Sequence, residues 1–461
     1  MPHLKGLQKT LTVIILSQPA TYDENAAADL QKSLYQQASK INKDIDVFIS
    51  TTDFPTVTGS WAVWPMFRKI NARVDSRSLT WLFICEPGTT VDLMKLMGLL
   101  QSYHADGNYF IGRALKDTKS QNLVNLFLQP VVIHHYHGFS EDELPIEFPD
   151  FAAGIAISKG LFVKLLDVIS QNSMREFSID AKHELAKLIA SSGQLLINNP
   201  KFCLLPDESQ CITKFIQPSR EVCKMTVGED DVMFAVKTFS GYHNSRIVVV
   251  KRTWAKDTKH IRYFSDVDDM FVPTITFGIN NTERGHCAKT EAIIKYFVKE
   301  DDFSGIRWLV IADDDTLLSV PRLYELLACY DPQQKLILGE RYGFGFDVNG
   351  EYGYDYPTGG AGMVFSRKAA ELLASECECP SIDAPDDMIL GWCGERLKIP
   401  VIHSAAFHQA QPMDYSALYL GRINPISFHK FEAIDPYSVY VELLQDHRPF
   451  VNFTRGVHEE L

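Results

Sequence analysis

Four blocks of this sequence occur twice, in the same order, and that duplication restricts the fold more than any other feature. Trp81-Leu-Phe-Ile-Cys-Glu-Pro-Gly-Thr89 aligns with Trp308-Leu-Val-Ile-Ala-Asp-Asp-Asp-Thr316. At the same offset Tyr109-Phe-Ile-Gly112 aligns with Ile337-Leu-Gly339. Farther on, Pro149-Asp-Phe-Ala-Ala-Gly-Ile-Ala-Ile-Ser158 pairs with Pro357-Thr-Gly-Gly-Ala-Gly-Met-Val-Phe-Ser366, and Ser178-Ile-Asp-Ala181 with Ser381-Ile-Asp-Ala384. The blocks predict two tandem domains related by an internal repeat, residues 1–225 and 226–461, joined somewhere between Leu204 and Val227. A chain of 461 residues is long enough for two or three domains.

Each half alternates apolar β-branched runs with helical patterns, which predicts α/β layers around a mostly parallel, Rossmann-like sheet. Leu11–Leu16 reads as a buried strand. In the second half, strands are expected at Met233–Lys237, Arg246–Val250, Trp308–Ala312, Met363–Phe365 and Ile399–His403. Helices are expected at Arg284–Val298, at Arg367–Ala374 behind a capping Ser366, and at Asp387–Glu395. No apolar run approaches the roughly 18 residues that span a bilayer, and Leu11–Leu16 is too short for the core of a secretory signal. The formal net charge of −13 argues against nucleic acid, whose binding depends on cationic side chains. Nine cysteines include no zinc-type pair spacing. They fit either disulfides in an oxidising compartment or buried free thiols.

The two halves differ in their acidic residues. Asp313-Asp-Asp315 follows an apolar strand, where ligands of open α/β sheets bind. Hard carboxylate oxygens there suit Mg²⁺ or Mn²⁺ on a diphosphate, although an isolated acidic triplet is more often a solvated turn. Asp386 and Asp387 open a helix, where acidic side chains favour the dipole, and one of them is a candidate general base. His408 follows the strand Ile399–His403, and an imidazole beside carboxylates favours Mn²⁺ over Ca²⁺, against the plainer reading of a structural histidine. In the first half, Glu86-Pro-Gly88 stands where the triplet stands in the second, and His183-Glu184 where Asp386-Asp387 stand.

Together with these residues, Phe234-Ala-Val-Lys-Thr238, Arg246 to Trp254, Gly359-Gly-Ala-Gly362, Pro385-Asp-Asp387 and Phe407-His408 occur in an order that resembles the fringe-like β1,3-glycosyltransferases. Arg284-Gly-His-Cys287, Leu338-Gly-Glu-Arg-Tyr342, Asp383-Ala-Pro-Asp-Asp387 and Pro425-Ile-Ser-Phe-His429 narrow the resemblance to members that place glucose on O-linked fucose of thrombospondin type 1 repeats. In the first half, Pro149-Asp-Phe-Ala-Ala-Gly154 and Ala181-Lys-His-Glu184 extend it. The resemblance implies GT-A-like domains, a UDP-glucose donor, Mn²⁺ and inversion at the anomeric carbon. It implies Asp315 and His408 as metal ligands and Asp387 as an ionised catalytic base. Asp314, Asp313, Arg246, Asp266, Lys289, Gly360 and Asp386 are implied on the substrate side. A sister enzyme moving GlcNAc or galactose, and a glycan-binding quality-control module without turnover, are the alternatives.

With one carboxylate in place of three and Pro87 fixing the backbone, the first half is expected to be non-catalytic, binding the acceptor protein or bracing its neighbour. His134-His-Tyr-His137 has no spaced carboxylate or cysteine to complete a metal site and is expected to be a contact surface. The final His458-Glu-Glu-Leu461 resembles an endoplasmic reticulum retrieval signal, which implies a soluble lumenal enzyme and a retrieval receptor as partner. The sequons at Asn280 and Asn452 agree with that compartment. The lack of an evident secretory signal conflicts with it, and the expectation is that this signal is missing from the sequence.

Overall fold

The computed structural model describes residues 11–74, 79–116, 146–171, 174–216, 223, 225–431 and 434–445. His134–His137, Asn452 and His458–Leu461 lie outside the described residues. The chain forms two compact units, one of residues 1–218 with 343–354 and the other of 219–342 with 355–461.

The first unit is built on a six-stranded sheet. Its strands are β1 (Leu11–Ile15), β2 (Ile45–Ile49), β3 (Trp81–Cys85), β5 (Phe110–Gly112), β6 (Ile155–Ser158) and β7 (Ile197–Asn198), with β4 (Thr89–Val91) directly after β3 but outside the sheet. The order is β2-β1-β3-β6-β5-β7, and β6 alone runs antiparallel to its neighbours. Helix α1 (Thr21–Lys40) makes the crossover from β1 to β2 and buries Ala27, Leu30, Leu34 and Ala38 at helical spacing. Helix α2 (Ala181–Ser191) starts at Asp180, whose side chain accepts from the Lys182 amide. Strand β8 (Thr213–Phe215) pairs antiparallel with β4.

The second unit carries a seven-stranded sheet. It comprises β9 (Val232–Lys237), β10 (His260–Ser265), β11 (Thr274–Thr276), β12 (Trp308–Asp313), β14 (Ile337–Gly339), β15 (Met363–Ser366) and β16 (Val401–His403), while β13 (Thr316–Leu318) lies beyond β12. The order is β11-β10-β9-β12-β15-β14-β16, with β15 antiparallel. Apart from the added edge strand β11, both sheets share one strand order and one pattern of directions. The central strands β9 and β12 are apolar and buried almost throughout, as a parallel sheet covered on both faces requires. Strand β17 (Ser427–His429) pairs antiparallel with β13.

One expected strand is a helix. Arg246–Val250 belongs to α3 (Arg246–Arg252), in which Ile247 and Val250 are the buried positions. That three-residue spacing buries one helical face and overrides the β preference of the Ile-Val-Val-Val run. The other expected elements lie within a few residues of their observed bounds: α4 (Cys287–Lys299), α5 (Arg367–Glu376) and α6 (Asp386–Leu397). Ser366 caps α5 by accepting from the Ala369 amide.

Eight of the cysteines are paired, as Cys203–Cys211, Cys223–Cys329, Cys287–Cys379 and Cys377–Cys393. Cys85 is a free thiol inside the first unit, and burial pushes its pKa up. Among the described residues no helix is long and apolar enough to cross a membrane.

Candidate active site

The second unit gathers its charged side chains at the carboxyl end of its central strands. Strand β12 ends at Asp313, and the chain turns through Asp314 and Asp315 into β13. In the β13–β17 ladder Thr316 faces His429, Leu317 faces Phe428 and Leu318 faces Ser427. That register brings His429 to the carboxylate turn, and its neighbour Lys430 donates its amide to the Asp315 carbonyl at 3.2 Å. His429 Nε2 lies 3.1 Å from Asp315 Oδ1 and 3.9 Å from Asp313 Oδ2. Its Nδ1 is 2.9 Å from the Gln409 carbonyl, an acceptor, so Nδ1 carries a proton and Nε2 points at the carboxylates.

Donor atoms of Asp313, Asp315 and His429 fall within 4.8 Å of one another. Two carboxylate oxygens and an imidazole nitrogen held by a carbonyl behind it could hold a divalent cation. Burial disfavours the His429 cation, but the Asp315 and Asp313 carboxylates outweigh it and raise the imidazole pKa. The space for the ring depends on Gly360, since a Cβ there would come within 2.2 Å of His429 Nδ1.

His408, the imidazole expected beside the carboxylates, lies elsewhere. It is fully buried, stacks on Phe428 at 4.5 Å between ring centroids, and meets Tyr415 edge-on at 4.6 Å. Its Nδ1 is 2.9 Å from the Ser427 carbonyl. Alternation along β17 explains the exchange, because a strand presents His429 to the site and Phe428 to the opposite face, where His408 packs.

Lys237, the last residue of β9, is opposite Asp313 in the β9–β12 register. Its buried Nζ lies 3.0 Å from Asp313 Oδ1 and 2.7 Å from Asp386 Oδ2. Thr290 of α4 donates its hydroxyl to the same Asp386 oxygen at 2.6 Å. Burial works against the Lys237 ammonium, yet Asp313 and Asp386 raise its pKa far above the usual lysine range. Burial likewise opposes ionisation of Asp386, but Lys237 brings its carboxyl down to about 2.

Asp387 is half-buried beside it, with Oδ1 accepting from the Met388 amide at 2.7 Å. Burial and the Asp386 charge push its carboxyl up to about 7. Against the expectation of a readily ionised Asp387, the buried lysine cation lies against Asp386, and burial with the Asp386 charge disfavours ionisation of Asp387.

The remaining expected residues divide by what they touch. Asp314 points inward, accepting from Thr238 Oγ1 at 2.7 Å and from Arg246 at 3.0 Å. Burial raises its carboxyl to about 6, with Thr238 and Arg246 opposing the rise. Arg246 also lies 3.0 Å from Asp315 Oδ2 and places its guanidinium 3.9 Å from the centre of the Tyr242 ring. Lys289 donates to the Thr238 carbonyl at 2.7 Å, and burial lowers its pKa. Asp266, just after β10, accepts from the Ser240 amide at 2.8 Å.

His429 and Lys237 are the members that sequence reasoning does not assign. Phe-His occurs twice in the second half, at Phe407-His408 and Phe428-His429, and both copies lie inside recognisable motifs. A usable signal exists for Lys237, since a lysine ending an otherwise apolar strand must meet a carboxylate to be buried.

Residues 227–447 match a family model described as Fringe-like. The chain is 40% identical over 440 residues to a β-1,3-glucosyltransferase of Mus musculus, a match covering 95% of this chain and 86% of that protein. With the β-1,3-glucosyltransferase of Homo sapiens it shares 40% identity over 460 residues, covering 98% and 89%. The Fringe glycosyltransferase of Drosophila melanogaster is 30% identical over 216 residues, 40% of this chain and 51% of that protein.

Proposed function

The chain belongs to the β1,3-glucosyltransferases, a Fringe-like family, and is a β1,3 glycosyltransferase; on that footing we propose that it moves glucose from UDP-glucose, with inversion, onto O-linked fucose of thrombospondin type 1 repeats. The match to glucosyltransferases along nearly the whole chain carries this reading, because the similarity to the Drosophila Fringe protein covers only 40% of it. The chemistry of the second unit suits such a transfer. Asp387 takes the proton of the fucose 3-hydroxyl, and that oxygen bonds to C1 of glucose as the C1–O bond to UDP breaks. One displacement inverts the anomeric carbon, so a single base is enough. A divalent cation, Mn²⁺ in this reading, held by Asp313, Asp315 and His429 would supply Lewis-acid stabilisation of the departing diphosphate. Arg246 and Lys289 add positive charge on the donor side, and Asp314 keeps Arg246 in place. Asp266 and Gly360 complete the proposed donor side.

We read residues 1–225 and 226–461 as tandem GT-A-like domains descended from one repeat, the first non-catalytic. The shared strand order supports this. We place the enzyme in the endoplasmic reticulum lumen. Four disulfides suit an oxidising compartment, and the resemblance of His458–Leu461 to a retrieval signal agrees with that placement. The test is transfer by the purified protein with Mn²⁺, a fucosylated repeat and a panel of UDP-sugars, followed by mass spectrometry. Hexose should be added from UDP-glucose alone and only to the fucosylated repeat. Preference for UDP-GlcNAc or UDP-galactose would overturn the donor assignment.

A further inference from the structure

Lys237 joins the two halves of the site. Its ammonium bridges Asp313, a member of the cation cluster, and Asp386, the first residue of α6. Asp387, the proposed base, is the next residue along that helix. The lysine is 5% exposed, so its charge must be matched where it stands. The Lys237 ammonium and the Thr290 hydroxyl both bond the same Asp386 oxygen, leaving the Asp386 carboxylate little freedom to rotate.

The sheet itself does not require a lysine there. In the first unit β1 and β3 pair in the register of β9 and β12, with Ile15 opposite Cys85 as Val236 is opposite Ala312. The next residue, at the place of Lys237, is Leu16, which is buried and donates its amide to the Cys85 carbonyl. The turn that follows β3 is Glu86-Pro-Gly88. An apolar side chain therefore completes the same strand where the acidic triplet is missing, which removes strand packing as the reason for the lysine.

We infer that Lys237 is a positioning residue for glycosyl transfer, its ammonium fixing the cation-side carboxylate of Asp313 and, through Asp386, the helix start from which Asp387 reaches the acceptor hydroxyl. The inference rests on the cation cluster and the base assigned under the proposed function. Lys237 does two opposed things in this arrangement. It orients the base, and it places a positive charge against a carboxylate that a divalent cation also needs. Removing the charge should therefore slow transfer while tightening cation binding. A variant that merely loosened the fold would weaken both.

The experiment uses the full chain. Mn²⁺ is titrated into metal-free protein and followed by intrinsic tryptophan fluorescence, and kcat is measured at saturating Mn²⁺. Lys237→Met should lower kcat by about 10²-fold through loss of orientation and lower the Mn²⁺ Kd by about 3- to 10-fold through loss of local repulsion. Because the single variant leaves Asp386 buried without its cation, Lys237→Met/Asp386→Asn provides a neutral version able to fold. It should keep the tighter Mn²⁺ binding, and its kcat should match that of Lys237→Met within about threefold, since the two changes break one linkage. Mn²⁺ binding weakened in step with kcat, or losses that multiply in the double variant, would overturn the inference. If the wild-type protein binds Mn²⁺ and transfers glucose, and Lys237→Met does the same at an equal rate, only the Lys237 assignment fails. If the wild-type protein does neither, the reading of the site fails and takes Lys237 with it.

Discussion

Beyond the central sheet of each unit, a short strand runs antiparallel to a distant one in the same register: Thr89 faces Phe215 in the first unit, and Thr316 faces His429 in the second. The polar contacts behind these strands also correspond. Thr89 donates its hydroxyl to the Ala152 carbonyl at 2.9 Å, and Thr316 to the Gly360 carbonyl at 2.8 Å. Thr213 and Ser427 donate theirs to the carbonyls of Ala153 and Ala361. What differs is the set of groups around the cation cluster. Phe215 stands for His429, Glu86-Pro-Gly88 for the acidic triplet, Leu16 for Lys237, and Ala152 for the glycine that makes room for the imidazole. The hydroxyl-to-carbonyl contacts are thus scaffold, and the charged set is separable from it. Had the scaffold needed those charges, the first unit could not be built without them.

The sharpest way to test that separation is to give the second unit the first unit's residues. His429→Phe, like Asp315→Ala, removes a donor of the cation cluster and should lower transfer by about 10³-fold or more, the loss of several kcal/mol of transition-state stabilisation. Circular dichroism should stay unchanged. Excess chelator should abolish wild-type transfer and Mn²⁺ should restore it; undiminished activity in chelator would remove the cation from the mechanism.

The base comes next. Asp387→Asn should lower kcat by about 10²-fold while UDP-glucose still binds by calorimetry. The wild-type pH profile sharpens the assignment. Transfer needs Asp387 ionised, and its carboxyl is raised to about 7, so kcat/KM should fall as the pH drops below about 7. With an unshifted carboxylate the fall would come near 4. The residual activity of Asp387→Asn should lack the limb near 7. Should Asp386→Asn remove that limb instead, the roles within the pair are reversed.

A smaller effect separates the two histidines. His408→Phe keeps the stack on Phe428 but loses the bond to the Ser427 carbonyl, so it should cost about 1 kcal/mol of stability. Its Mn²⁺ affinity should stay within about threefold of wild type. Weakening comparable to that of His429→Phe would return His408 to the cation site.

The positions most legible in the sequence are those where a local rule decides. Ser366 announces the start of α5 because a serine before a helical pattern caps it, and the Asp triplet stands out because it follows an apolar strand. Legibility stops where distant segments choose. Two Phe-His pairs look alike until the β13–β17 register selects one. Arg246–Val250 reads as a strand because its apolar run is short and β-branched, and only its packed face makes it helical. The proton affinity of Asp387 is hidden for a related reason, since the nearby cation is bonded to the adjacent carboxylate and not to Asp387.

The smallest expected effect on transfer concerns Glu184, which occupies in the first unit the place of Asp387 in the matched blocks. Position alone would make it a candidate base. Its carboxylate is engaged differently, because Oε1 accepts from the Ile179 amide at 2.5 Å, ahead of the Asp180 cap at the start of α2. Turned back on its own chain, it serves the helix terminus much as the acidic partner of a capping box does. Glu184→Ala should therefore cost about 1 kcal/mol, seen as a Tm lower by a few degrees for the first unit. Transfer to a fucosylated repeat at saturating UDP-glucose should stay within about twofold of wild type, whereas Asp387→Ala in the same assay should be nearly inactive. A loss of kcat in Glu184→Ala comparable to that of Asp387→Ala, with the melting curve unmoved, would mean that the first unit takes part in the chemistry and that the two halves are not divided into scaffold and site.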